Sequence, residues 1–143
     1  MNYLLDTSIV APAGESVGMR QALKSWLVRA SDRLFLSVVT LAEIERGSLA
    51  MEAGKGGTDR SAWLDLMRHL YSDRFLPLDI ETARLSGNLL DKARRSGAAP
   101  TFEDAAIAAT ASRRGLTIVT TRERHFRLMD VQFIDPQQHL PDA

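Results

Sequence analysis

Three acidic residues stand where the chain leaves an extended run or opens a helix: Asp6 in "YLLDTSIV", Glu43 in "LSVVTLAEIERG" and Asp104 in "FEDAAIAATA". On a helix Asp104 shares its stripe with Ile107, Ala108 and Ala111, whereas its neighbour Glu103 leads toward Thr110 and Arg114 on the wetter side. A carboxylate in line with a buried stripe must be neutralised or meet a cation, because an unpaired buried charge is costly. Gathered together, such acids repel, at about 4 kcal/mol for a pair 4 Å apart in an effective dielectric near 20. A divalent ion reverses that sign, and an all-oxygen donor set suits magnesium or manganese. With no cysteine and with His69, His125 and His139 scattered, a zinc site is poorly supported. Glu123, after "TIVTTR", is a fourth acid able to approach the same rim.

A purely structural reading competes at each acid. Thr40 with Glu43 and Thr101 with Asp104 have the spacing of helix capping boxes, and Asp6 can cap the turn after its strand. The metal reading therefore rests on all three acids meeting in one place, which is a question about the elements that carry them.

The chain alternates strands and helices. A strand from Tyr3 to Leu5 is followed by a helix from about Ser16 to Ala30, then by the strand "LFLS" and a helix from about Val39 to Ala53. Gly54, Gly56 and Gly57 mark a loop, and Trp63, Leu66, Met67 and Leu70 recur at helical spacing across Thr58 to Asp73, a core or interface stripe. "RFLPLD" predicts a short strand with Asp79 capping a helix to Arg95, ended by Gly97. The alanine-rich helix of Asp104 is stopped by Gly115. "LTIVTT" has the β-branched character of a buried parallel strand, and "VQFIDP" predicts a last strand near the edge. Such alternation gives right-handed crossovers and a mostly parallel sheet covered on both faces, an α/β fold of the three-layer α/β/α sandwich type. In open sheets of this kind ligands bind at the carboxyl ends of the strands, where the chain reverses direction. That is where Asp6, Glu43 and Asp104 fall.

The 143 residues suit a single domain, 1–143, with one continuous core. With 45 % hydrophobic and 25 % charged residues and no apolar run near the roughly 20 needed to span a bilayer, a membrane role is not expected. A cysteine-free chain without a basic, apolar leader is compatible with a cytoplasmic location. Eighteen basic residues balance eighteen acidic ones, so attraction to phosphates must be local. Fifteen of the cations are arginine, paired as Arg94 and Arg95, paired again as Arg113 and Arg114, and grouped as Arg122, Arg124 and Arg127. Arginine suits bidentate phosphate contacts, though solvated helix ends explain the first two pairs as well.

Taken in order, "YLLDTSIV", "LSVVTLAEIERG", "FEDAAIAATA" and "GLTIVTTRERHF" resemble the PIN-domain nucleases, specifically the VapC-like toxins of bacterial toxin and antitoxin pairs, over nearly the whole chain. The resemblance implies a small α/β/α endoribonuclease whose acids hold Mg2+ or Mn2+, a homodimer, an RNA substrate and a cognate VapB-like antitoxin. Asp6, Glu43 and Asp104 then become catalytic, metal-binding carboxylates, and Ser8 matches a small polar residue that supports the site. The family often has an acid or asparagine in "TRN" or "TRD" ahead of a phenylalanine. Here "TTRERHF" departs from that: aligned on "TR" the position is Glu123, an auxiliary ligand, and aligned from "RHF" it is Arg122, which cannot ligate a cation. Thr120 or Thr121 can supply a hydroxyl instead. Charge and location, rather than the motif, assign Arg122 and Arg124 to the RNA backbone. The irregular segment gives a second reading, a catalytically impaired PIN-like module that binds RNA or protein, and metal-assisted phosphodiester hydrolysis, which needs no 2′-hydroxyl, also fits a DNA nuclease. A receiver domain lacks its paired acids here, and a haloacid-dehalogenase-type phosphatase lacks its second aspartate, since Ser8 stands at that position.

Overall fold

The computed structural model describes residues 1–10, 17–51, 65 and 68–142, with side chains for 1–10, 21–46, 65 and 68–142. Five short strands, β1 (Tyr3–Leu5), β2 (Leu34–Ser37), β3 (Phe75–Leu76), β4 (Thr117–Val119) and β5 (Phe133–Ile134), form one sheet in the order β3-β2-β1-β4-β5. Every pairing is parallel. Tyr3 and Leu4 pair with Leu34 and Phe35 on one side, and Tyr3, Leu4 and Leu5 with Thr117, Ile118 and Val119 on the other.

The helices are α1 (Thr7–Val10), α2 (Val17–Arg29), α3 (Val38–Met51), α4 (Ile80–Arg95), α5 (Phe102–Arg114) and α6 (Glu123–Phe126). The period-two alternation of β1 divides the core. Tyr3 and Leu5 join Val10, Trp26, Leu36 and Ile44 on one face, while Leu4 joins Leu89, Ala108, Ile118 and Phe126 on the other. The three-layer α/β/α sandwich and the parallel sheet expected from the sequence are therefore the observed architecture.

Local signals placed the element ends well. Asp79 accepts from the Thr82 N–H at 2.9 Å and starts α4, Gly97 adopts φ 88° after it, and Gly115 ends α5 at φ 64°. In α5 all residues from Asp104 to Ala111 are buried, because small side chains let the helix lie close to both the sheet and α4. Thr110, expected on the wet side, is buried too, and it satisfies its hydroxyl by donating to Ala106 O at 2.8 Å. Leu70, one of the residues of the core or interface stripe, is 53 % exposed, and neighbouring Tyr71 takes the buried position. Trp63, Leu66, Met67 and the glycines at 54, 56 and 57 lie outside the described residues.

Because β2 and β3 lie to one side of β1 while β4 and β5 lie to the other, the chain reverses direction beside the end of β1. Asp6 immediately follows that strand and Thr120 immediately follows β4, so the crevice between them is the ligand position that this topology favours.

Candidate active site

Asp6 is fully buried, and its backbone N–H is fixed by Val119 O at 3.0 Å. Its carboxylate is held from several sides. Oδ2 accepts from the Ser8 hydroxyl at 2.9 Å, the Thr120 hydroxyl at 2.8 Å and Arg122 Nε at 3.1 Å, and Oδ1 accepts from Arg122 Nη2 at 2.9 Å. The "DTS" turn thus supplies both the acid and one of its clamps. Ser8 in turn accepts from the Thr121 N–H at 3.2 Å, locking the start of α1 to the segment after β4.

Asp104 is 1 % exposed and does two jobs. Its side chain closes a capping box with Thr101: the Thr101 N–H reaches Oδ2 at 3.3 Å, and the Asp104 N–H reaches Thr101 Oγ1 at 3.2 Å. The capping reading and the functional reading of this residue are therefore not alternatives. Oδ1 accepts from Arg122 Nη2 at 3.0 Å, and His125 Nδ1 lies 3.0 Å from Oδ2. One guanidinium nitrogen of Arg122 thus touches one oxygen of each aspartate.

Glu43, on α3, bonds to α1 and feels the Asp6 and Arg122 charges without a hydrogen bond to either. Its expected capping box with Thr40 does not form, because α3 begins earlier and Ser37 caps it by accepting from the Val39 N–H at 3.0 Å. Glu43 Oε1 instead accepts from the Thr7 hydroxyl at 2.9 Å, and Thr7 also lies 3.2 Å from the Thr40 hydroxyl. Burial pushes the Glu43 carboxyl above its ordinary value. The Asp6 and Glu103 charges add to that rise, and the Thr7 hydrogen bond and the Arg122 charge oppose it. Burial also works against the Arg122 charge, but its hydrogen bond to Asp6 and the charges of Asp6, Asp104 and Glu43 outweigh that effect and raise its pKa.

Glu123 opens α6 and receives Arg127 Nη2 at 2.6 Å, while it lines the same cleft as Arg122 and His125. Thr121 contributes its N–H, and the hydroxyl on Asp6 comes from Thr120. That cleft, of about 480 Å3, is lined by Thr121, Arg122, Arg124, His125 and Arg127 together with the acids Glu123 and Asp135. Among the described residues Arg124 makes no ion pair. The sequence reading passed over His125 and Thr7. Each stands close in sequence to a residue it did single out, but neither spacing carries a contact to an acid on another element.

Among the described residues no three acidic or histidine side chains are assembled as a metal-binding set. The donor chemistry nevertheless fits a hard cation. Two buried carboxylates converge on one positively charged group, their hydroxyl and N–H partners leave oxygens turned toward it, and a third carboxylate lies within electrostatic reach.

Comparison with known proteins gives a consistent result. The family model described as PIN domain matches residues 3–132. The plasmid stability protein StbB of Pseudomonas syringae pv. tomato is 31 % identical over 137 residues, covering 93 % of this chain and 96 % of that protein. VapC ribonuclease Y4jK of Sinorhizobium fredii is 30 % identical over 135 residues, with 93 % and 96 % covered. Among solved structures, VapBC-5 from Mycobacterium tuberculosis, a member of the VapBC family of toxin-antitoxin systems, matches at a TM-score of 0.64 and 29 % identity. That match covers 93 % of this chain and 97 % of that one.

Proposed function

The chain belongs to the PIN-domain family, and from that membership we propose that it is a Mg2+- or Mn2+-dependent endoribonuclease, the toxin of a toxin and antitoxin pair. The observation that carries the reading is the pair of buried aspartates, Asp6 and Asp104, drawn from different elements onto one cationic group at the sheet's reversal point. Asp6 and Asp104 would hold the metal, and Glu43 either joins them or positions the attacking water. When bound, the cation lowers the pKa of a water it holds and offsets charge building on the phosphate.

The remaining chemistry belongs to the chain. Ser8, Thr120 and the Thr101 N–H fix the two aspartates so that their geometry is set before substrate arrives. Glu43, whose burial raises the proton affinity of its ionised carboxylate, is suited in that form to accept the proton of the attacking water as the new P–O bond forms and the bond to the leaving ribose oxygen breaks. Arg124 and Arg127 border the cleft and supply charge for the RNA backbone.

The VapC and VapBC relatives named above lead us to a VapB-like antitoxin as partner, and the resemblance to the PIN-domain toxins leads us to a homodimer as the working unit. Among the described residues no helix is long and apolar enough to cross a membrane, and we assign the protein to the cytoplasm from its likeness to the VapC toxins. Incubating the purified protein with single-stranded and structured RNA in Mn2+ should give cleavage that stops with EDTA and with Asp6→Asn or Asp104→Asn. Cleavage that persists through all three would overturn the assignment.

A second reading is favoured by the position of Arg122 on both aspartates: a PIN-like module that has lost turnover. Calorimetric titration separates the two. Mn2+ binding that Asp104→Asn abolishes supports the nuclease, and no binding at millimolar Mn2+ supports the module.

A further inference from the structure

We propose that Arg122 is a resident competitor for the metal position: its guanidinium and the divalent cation hold the Asp6 and Asp104 oxygens in alternation, and the metal binds only as the side chain swings out. The inference rests on the metal-dependent reading above.

Three observations carry it. Arg122 Nη2 is 2.9 Å from Asp6 Oδ1 and 3.0 Å from Asp104 Oδ1, and Nε adds a bond to Asp6 Oδ2 at 3.1 Å. The guanidinium therefore bridges the oxygens that a shared cation would need. A magnesium ion stands about 2.0–2.1 Å from its oxygen ligands, closer than any hydrogen-bonded nitrogen, so the two cations exclude each other sterically as well as by charge. Second, the aspartates are 0 % and 1 % exposed, so they require a counter-charge in the metal-free protein, and Arg122 is the cation in contact with both. Third, the bridge can open. Arg122 is only half-buried and forms a wall of the open cleft. Its backbone is tied independently by its N–H to Thr120 Oγ1 at 2.9 Å, so releasing the side chain does not release the segment.

The sequence departure in "TTRERHF" thus acquires a consequence. The position carries a built-in cation that protects the acids from mutual repulsion until metal arrives, and that weakens the apparent metal affinity in proportion to the fraction of molecules in which the bridge is open. The cleft that Arg122 and Arg124 both line gives the displaced guanidinium a place to go.

The test uses the full chain labelled with 15N and titrated with Mg2+, following the Arg122 Nε–Hε resonance, together with Mn2+ calorimetry on wild type and Arg122→Gln. The expected result is loss or displacement of that resonance with the midpoint of metal binding. Arg122→Gln should bind Mn2+ roughly tenfold more tightly or better, the scale of coupling between ligands that share groups. A merely neighbouring positive charge would also weaken metal binding, but its resonance would stay bonded. Metal binding with the Arg122 signal unmoved overturns this proposal and leaves the nuclease reading standing. Failure of both proteins to bind metal overturns the two together. Should Arg122→Gln not fold, the wild-type titration decides alone.

Discussion

The hydroxyl of Thr120 lies buried between an acid and a backbone amide, donating to Asp6 Oδ2 at 2.8 Å and accepting from the Arg122 N–H at 2.9 Å. Replacing it with valine keeps the shape and deletes both bonds. Hydrogen bonds to charged groups contribute about 1.5–3 kcal/mol, so Thr120→Val should lower unfolding free energy by that order in urea titrations. It should also weaken Mn2+ binding, because Asp6 loses a clamp. Glu43 gives a pH signature of defined sign. Its carboxyl is raised above 4.5 in the folded protein, so its contribution to stability is fully present below that value and is lost as pH rises through the elevated pKa. Thermal melts of metal-free wild type should therefore show a decline over that window that Glu43→Gln lacks. At this scale the sequence was informative about identity and silent about partners. Asp6, Glu43, Asp104 and Ser8 were legible from their motifs. Glu123, singled out by its place in "TTRERHF", lines the cleft and pairs with Arg127 four residues on, a partner its motif did not announce.

Helices α4 and α5 show how far local rules reach at the scale of elements. Asp79 caps α4, and the hydrogen bonds from Thr82, assisted by Arg113, hold its carboxyl down to about 2. Arg113, from the last turn of α5, reaches Asp79 Oδ1 at 2.8 Å and Thr82 Oγ1 at 2.9 Å, so the start of one helix is tied to the end of the other. A lowered acid stabilises above its ordinary value of 3.8, and that contribution disappears as pH falls toward 2. Melting temperatures of wild type and Asp79→Asn should accordingly differ at pH 6 and converge between pH 4 and 2. Gly115 sits at φ 64° with open space around the position of a Cβ, so Gly115→Ala tests backbone conformation alone. It should cost about 1–2 kcal/mol in denaturant unfolding, the penalty of the left-handed region for an L-residue. Caps and stops were readable because their causes lie within four residues. The burial of Thr110 and the exposure of Leu70 were not, since each depends on what packs against the helix from elsewhere.

Across the whole molecule the two faces of the sheet carry separate cores, and the C-terminal segment closes one of them. Trp26, fully buried and edge-on to Tyr3 with ring centroids 5.3 Å apart, donates its indole N–H to Pro141 O at 2.9 Å, and Leu140 packs against the same cluster. Deleting residues 140–143 should leave that N–H without its partner and lower stability by about 1–3 kcal/mol, read as an earlier unfolding midpoint in tryptophan fluorescence. The sequence by itself determined the alternation of the longer elements, the parallel sheet and the ends of α4 and α5, because hydrophobic periodicity and turn residues are local properties of the chain, and motif order singled out the acids. Only the tertiary structure decided which oxygens face one another. That depends on the strand order β3-β2-β1-β4-β5, which sets Asp6 beside the segment that follows Val119 and brings Arg122, rather than Glu123, onto both aspartates. Residues separated by about a hundred positions meet there through sheet register and charge pairing, neither of which any window of the sequence contains.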